Sequence, residues 1–125
     1  MTGFSISGRI KSIGYALQGI AVLLHSQHNA WIHLGATLAV IAAAAALRTN
    51  AWEWLALVVA ITMVWVAEAF NTALELVCDM ASPDFHPLIK KAKDVSDGAV
   101  LLSACGAMVI GGIVFVPHVL KLAAP

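Results

Sequence analysis

The sequence predicts an all-α integral membrane protein, with an N-terminal amphipathic surface helix followed by three transmembrane helices. Two observations carry that expectation. Of the 125 residues, 61% are hydrophobic and only 11% charged, whereas an ordinary soluble domain is about a quarter charged. A small soluble domain has much surface to cover and could not cover it with this composition. The apolar residues also gather in three long runs, each close to the roughly 20 residues a helix needs to cross about 30 Å of hydrocarbon.

The first run, WIHLGATLAVIAAAAAL, is uncharged from 31 to 47 and predicts a span over about 30–47. The second predicts a span over about 54–77, interrupted only by Glu68, Asn71 and Glu75 towards its end. The third, over about 98–120, contains no charge at all. Arg48, Thr49, Asn50 and Ala51 make a polar turn between the first two. Trp52 and Trp54 beside it suit a water–lipid interface. The second connection, from 80 to 93, carries Pro83, Asp84, Pro87, Lys90 and Lys91, too polar to lie in hydrocarbon. The whole chain, 1–125, reads as a single domain.

Ahead of the first span, over about 5–27, Ile6, Ile10, Ile13, Leu17, Ile20 and Leu24 recur at intervals of three and four. Arg9, Lys11, Ser12 and Gln18 fall off that stripe. Such a helix lies in the interface plane among the headgroups or packs its stripe on the spans; the pattern leaves both open. It does not read as a secretory signal, since the basic residues lead into an amphipathic segment with no convincing cleavage site.

With three spans, the N-terminal segment and the 80–93 connection share a side that holds Arg9, Lys11, Lys90, Lys91 and Lys93, against Arg48 and Lys121 on the other. The positive-inside rule puts the first side in the cytoplasm and the C-terminus outside. Small residues repeat every fourth position: Ala99, Ser103, Ala107 and Gly111 on the third span, Gly35, Ala39 and Ala43 on the first. Such faces let helices approach closely in lipid, and there are more of them than a three-helix monomer needs, which points to self-association. Formal net charge is zero, so no global field argues for a nucleic-acid partner. Cys78 and Cys105 read as small hydrophobes rather than a disulfide or metal pair.

Ionisable groups inside a span are costly and functional by default. Glu68, Asn71, Glu75 and Asp79, at offsets of 0, 3, 7 and 11, share one narrow helical face. That face runs from inside the membrane to the cytoplasmic interface. Joining helices would need one amide rather than three carboxylates. Lys90, Asp94 and Asp97 share a second face. Lys93 would sit near a helix N-terminus, where backbone N–H groups favour anions; a phosphate contact and a positive-inside anchor are both open for it. Carboxylates facing a lysine at a membrane surface suggest phosphoryl transfer, in which carboxylates hold Mg²⁺, the metal bridges phosphates and one carboxylate deprotonates the attacking hydroxyl. No G-x-x-x-x-G-K-[ST] or G-x-G-x-x-G motif is present. His25, His28 and His33 match no tight metal-ligand spacing, and His33 is expected to meet a backbone or carboxylate partner.

The stretch EAFNTALELVCD, from 68 to 79, resembles the E-x-x-N-[ST]-A-[IL]-E-x-x-x-D signature of the prokaryotic diacylglycerol kinase family. KAKDVSDGAVLL resembles the A-K-D segment and small-residue span that follow it, and HNAWIHL and FHPLIKKAKD resemble the branch that includes undecaprenol kinases. The resemblance covers nearly the whole chain in order and spacing. It implies an ATP- and Mg²⁺-dependent lipid kinase acting on a membrane lipid alcohol, undecaprenol ahead of diacylglycerol. It further implies a homotrimer in the bacterial inner (plasma) membrane with sites shared between subunits. Carried over by position, Glu68 would be the catalytic base on the lipid hydroxyl and Glu75 a metal ligand that also meets the nucleotide, with Asn71 and Asp79 in support. Lys93, Asp94, Asp84, Phe85, His86 and Tyr15 would hold the nucleotide. Arg9 and Asp97 join Glu68 as candidate substrate contacts.

Two positions depart from the family pattern. A metal-binding Glu often precedes the first span, and Gln27 stands there; many members have a small residue where this chain has Asp97. Three rival readings use the same carboxylate face: a membrane scaffold, an ion-conducting assembly and a lipid phosphatase.

Overall fold

A computed structural model describes residues 5–124 as four helices and short connections: α1 (Ile6–Ser26), α2 (His28–Ala46), α3 (Ala51–Ala81) and α4 (Pro87–Ala123). Helices α2, α3 and α4 are each long and apolar enough to cross a membrane. Large apolar side chains including Leu101, Leu102, Met108 and Ile113 stay exposed along α4, an arrangement that suits lipid as the surrounding solvent.

Local chemistry sets each boundary. Ser5 caps α1 by accepting from the Gly8 N–H. Gln27, with an extended backbone (φ −116°, ψ 121°), separates α1 from α2, so the chain turns at the residue where the first span was expected to be approached. Helix α2 ends when Arg48 enters the left-handed region at φ 53°, which glycine usually supplies. The Arg48 N–H then bonds the Ala45 carbonyl and the Thr49 N–H the Ala44 carbonyl. Asn50 starts α3 with a capping box: its side chain accepts from the Trp52 and Glu53 N–H groups, and Glu53 accepts from the Asn50 N–H at 2.8 Å. At α4, Pro87 occupies the first turn and the His86 ring accepts from the Leu88 N–H at 3.2 Å. Proline suits this position because its fixed φ is already helical.

That last start shifts one expectation. The non-helical part of the connection is confined to residues between Ala81 and Pro87, so Lys90, Lys91 and Lys93 ride on α4 rather than in a loop. Lys93 lies in the second turn of α4, away from the free N–H groups of its first turn.

Helices α3 and α4 form the most extensive pair. Ala44, Leu57 and Val114 make a buried cluster with Val40, Trp54, Ile110 and Phe115 packed against it. This cluster joins α2, α3 and α4 at the end nearer the α2–α3 turn. Helix α1 rests on α2 and α3 with Leu23 buried, while Ile6, Ile10, Ile13, Leu17 and Ile20 remain exposed.

Candidate active site

The polar face of α3 is buried at its inner end and opens outward through half-buried Glu75 to exposed Asp79. Glu68 is fully buried, and Asn71 and Thr72 are nearly so. The Thr72 hydroxyl is spent on the Glu68 carbonyl at 2.9 Å, but both Glu68 carboxylate oxygens and the Asn71 Oδ1 have no hydrogen-bond partner. Leaving buried acceptors unsatisfied costs about 1–3 kcal/mol each, more when charged. Native interiors tolerate that mainly where a substrate or ion completes the site.

These atoms face a cavity of about 420 Å³ lined by Glu68, Asn71 and Glu75 of α3, Asn29 and His33 of α2, and Asp97 of α4. Three carboxylic acids from two helices therefore meet in one chamber. His33 Nε2 stands 3.5 Å from Glu68 Oε2, so the carboxylate partner expected for His33 is Glu68. Glu75 is met from the α1–α2 break, where the Gln27 side-chain amide donates to Glu75 Oε2 at 2.7 Å. The extended backbone at Gln27 frees its side chain to reach a residue 48 positions away in sequence.

One turn beyond Glu75, about 6 Å along the axis, Asp79 opens a second cavity of about 270 Å³. Asp84, Phe85, His86 and Lys93 line it as well. The Lys93 ammonium bonds Asp79, and that hydrogen bond raises its pKa above the usual lysine value, against a weaker opposing effect of desolvation. Lys90 also lines this cavity and pairs with Asp94 at 2.6 Å.

The expected site residues thus divide into two groups. Glu68, Asn71, Glu75 and Asp97 share the inner chamber, with Gln27 on Glu75. Asp79, Asp84, Phe85, His86 and Lys93 share the outer one, and Asp94 reaches it through Lys90. Tyr15, on α1, lines neither cavity and is exposed; Arg9 is also on α1 and lines neither. Asn29 and His33 were absent from the expected site. Their spacing of four, across the start of an otherwise apolar span, was the available signal.

A divalent ion is compatible with this donor set. Among the described residues no group of three or more His, Cys, Asp or Glu side chains gathers to hold a metal alone. Mg²⁺ bound with nucleotide phosphates needs only one or two carboxylates, and Glu75 is one; Gln27 turns its N–H to Glu75 here, so its carbonyl oxygen would have to rotate inward to join a cation.

The family model for prokaryotic diacylglycerol kinase matches residues 14–115. The chain belongs to the prokaryotic diacylglycerol kinase family. The family and its named relatives are lipid kinases. A diacylglycerol kinase of Synechocystis sp. is 38% identical over 112 residues, covering 89% of this chain and 64% of that protein, so this chain spans under two thirds of that relative's length. An undecaprenol kinase of Bacillus subtilis is 32% identical over 86% of this chain and 87% of its own length. The diacylglycerol kinase of Escherichia coli is 28% identical over 87% of this chain and 89% of its own. All residues lining the two cavities fall within the matched segment.

Proposed function

We propose that this protein is a single-domain lipid kinase, 1–125, that moves the γ-phosphate of ATP onto the hydroxyl of a membrane lipid. The observation that carries the reading is the buried Glu68 carboxylate, with neither oxygen partnered, facing a chamber it shares with two further acids. A buried carboxylate left without partners is suited to take a proton from a hydroxyl brought to it.

In this reading Glu68 accepts the lipid hydroxyl proton as that oxygen attacks the γ-phosphorus. The bond from the γ-phosphorus to the β–γ bridging oxygen breaks and ADP leaves. Glu75, with Gln27 beside it, would hold Mg²⁺; when bound, the ion neutralises phosphate charge. Lys93 adds a fixed cation, with Asp84, Phe85, His86 and Asp94 completing the nucleotide side. Asn71 and Asp79 support the face. Tyr15 and Arg9 line neither cavity within one chain; their roles at nucleotide and lipid are retained as part of a site shared between subunits. A homotrimer accommodates that sharing, and exposed large apolar side chains on the spans, with the small-residue repeats in their sequence, support it. The basic residues of α1 and early α4 support a site on the cytoplasmic side of a bacterial inner membrane, with the C-terminus outside.

Relatives named for both diacylglycerol and undecaprenol leave two acceptors to compare, and undecaprenol is the first choice. Purified protein in mixed micelles with labelled ATP and Mg²⁺, tested against a panel of lipid alcohols, should label one of the two. Failure to phosphorylate any lipid would overturn the kinase reading and return the scaffold, channel and phosphatase alternatives.

A further inference from the structure

We propose that His33 is a positioning residue for the Glu68 carboxylate, directing it into the chamber and donating a hydrogen bond to it inside the membrane; this rests on the reading of Glu68 as the base. A buried carboxylate without partners is unstable as an ion, so a group that meets it decides whether it can work. From α3 the neighbours are Asn71 and Glu75, from α4 Asp97, and from α2 Asn29 and His33. Asn71 presents an acceptor that itself lacks a donor. Glu75 and Asp97 are carboxylic acids like Glu68 and bring no cation to it. Among the described residues lining the chamber, His33 alone is basic.

The distance fits a partner that engages during turnover. At 3.5 Å, His33 Nε2 and Glu68 Oε2 are too far apart for a firm hydrogen bond. Hydrogen bonds of catalytic groups are often long without substrate and tighten in the complex. The imidazole is also held in place. Trp65 stands edge-on to it, with ring centroids 6.4 Å apart at 67°, and the Trp65 indole N–H donates to Thr37 Oγ1 at 3.0 Å. Thr37 follows His33 by one turn of α2, and Trp65 precedes Glu68 by about one turn of α3. The two helices are thus joined by two rungs, one neutral and saturated, the other carrying the imidazole and the unpartnered carboxylate. The neutral rung already ties α2 to α3, so His33 is not needed for that.

The test measures kcat and the KM for ATP of full-length protein in mixed micelles for H33L, H33Q, E68Q and the H33L/E68Q double variant. H33L should lower kcat by about 10- to 100-fold, the scale of a misplaced reacting group, with the KM for ATP changed by less than about twofold. H33Q keeps an N–H donor and should recover a substantial part of the loss. Because His33 acts through Glu68, the double variant should be no slower than E68Q alone. Losses that multiply in the double variant, or H33L turning over normally, would remove the role of His33 while leaving Glu68 as base. Normal turnover in E68Q would remove both together. If H33L does not fold, H33M takes its place beside H33Q, with the same outcomes.

Discussion

Two histidine–glutamate pairs join helices in this molecule, and they sit in opposite electrostatic circumstances. Near the α2–α3 turn, His118 Nε2 meets Glu53 at 3.1 Å, and Glu53 also accepts from the Asn50 backbone at 2.8 Å. Every part of that carboxylate has a role in holding α3 to α4 and starting α3. Further along α3, His33 meets Glu68 at 3.5 Å, and neither Glu68 oxygen has a hydrogen-bond partner. The first pair behaves as structure, with both Glu53 oxygens engaged; the second leaves acceptor capacity facing a cavity. The same two residue types therefore serve different ends, and saturation, rather than residue identity, separates them.

The largest expected effect tests that contrast directly. Glu68→Gln removes the proton acceptor and should lower turnover about 100-fold or more, with ATP affinity nearly unchanged. Glu53→Gln keeps a polar group at the cap and should leave turnover near the parent value. Steady-state kinetics on both variants decides it; equal losses would show that the two pairs are not functionally distinct.

The Glu68 side of this contrast was readable from the sequence, because the i, i+3, i+7 and i+11 placement of Glu68, Asn71, Glu75 and Asp79 dictates a common face once α3 is helical; the Glu53 side was not. The long apolar runs likewise marked the three helices that could span a membrane. What was not readable depends on which helix lies opposite. Nothing in the order of residues says that His33 meets Glu68, or that His118 returns to Glu53, 65 positions away; that Gln27 meets Glu75 followed from the family resemblance and not from the residue pattern. The early start of α4 was hidden for a different reason: Lys90, Lys91 and Lys93 suggested a solvated connection, whereas Pro87 and the His86 cap begin the helix before them.

The outer cavity gives the next effect. Lys93 bonds Asp79 there, and both side chains lie open enough that the pair should add little to stability. Lys93→Ala should therefore fold normally and raise the KM for ATP about tenfold, the scale of a lost charge-assisted contact to phosphate. Lys91 lines neither cavity, and Lys91→Ala should change the KM little. Equal effects from both would reduce Lys93 to a membrane anchor.

Gln27 should produce a smaller change. Its amide N–H now satisfies Glu75 Oε2, whereas a glutamate there would place two carboxylates together and reward a divalent cation between them. Gln27→Glu should lower the Mg²⁺ concentration for half-maximal activity by a few-fold, an effect on the order of 1 kcal/mol. Asp97 lines the same chamber as Glu75, so Asp97→Ala should raise that midpoint. Titration at saturating ATP, with neither variant shifting the midpoint, would take Gln27 away from the metal.

The smallest effect on turnover belongs to the structural pair. Asn50 accepts from the Trp52 N–H at 2.9 Å and the Glu53 N–H at 3.0 Å, satisfying donors that the first turn of α3 cannot satisfy internally. Asn50→Ala removes both contacts and should cost about 1 kcal/mol of stability, read as a lower thermal midpoint in detergent. Glu53 would keep its bond to His118 and its acceptance from the residue 50 N–H, so α3 and α4 should stay joined and the chamber around Glu68 intact. Turnover per folded molecule should then match the parent. Capping acts within the first turn of α3, and Glu68 lies about five turns beyond Asn50, roughly 27 Å along the helix. A clear loss of kcat in Asn50→Ala, at a temperature where the variant is fully folded, would mean that the two ends of α3 are coupled and that saturation at one sets the geometry of the other.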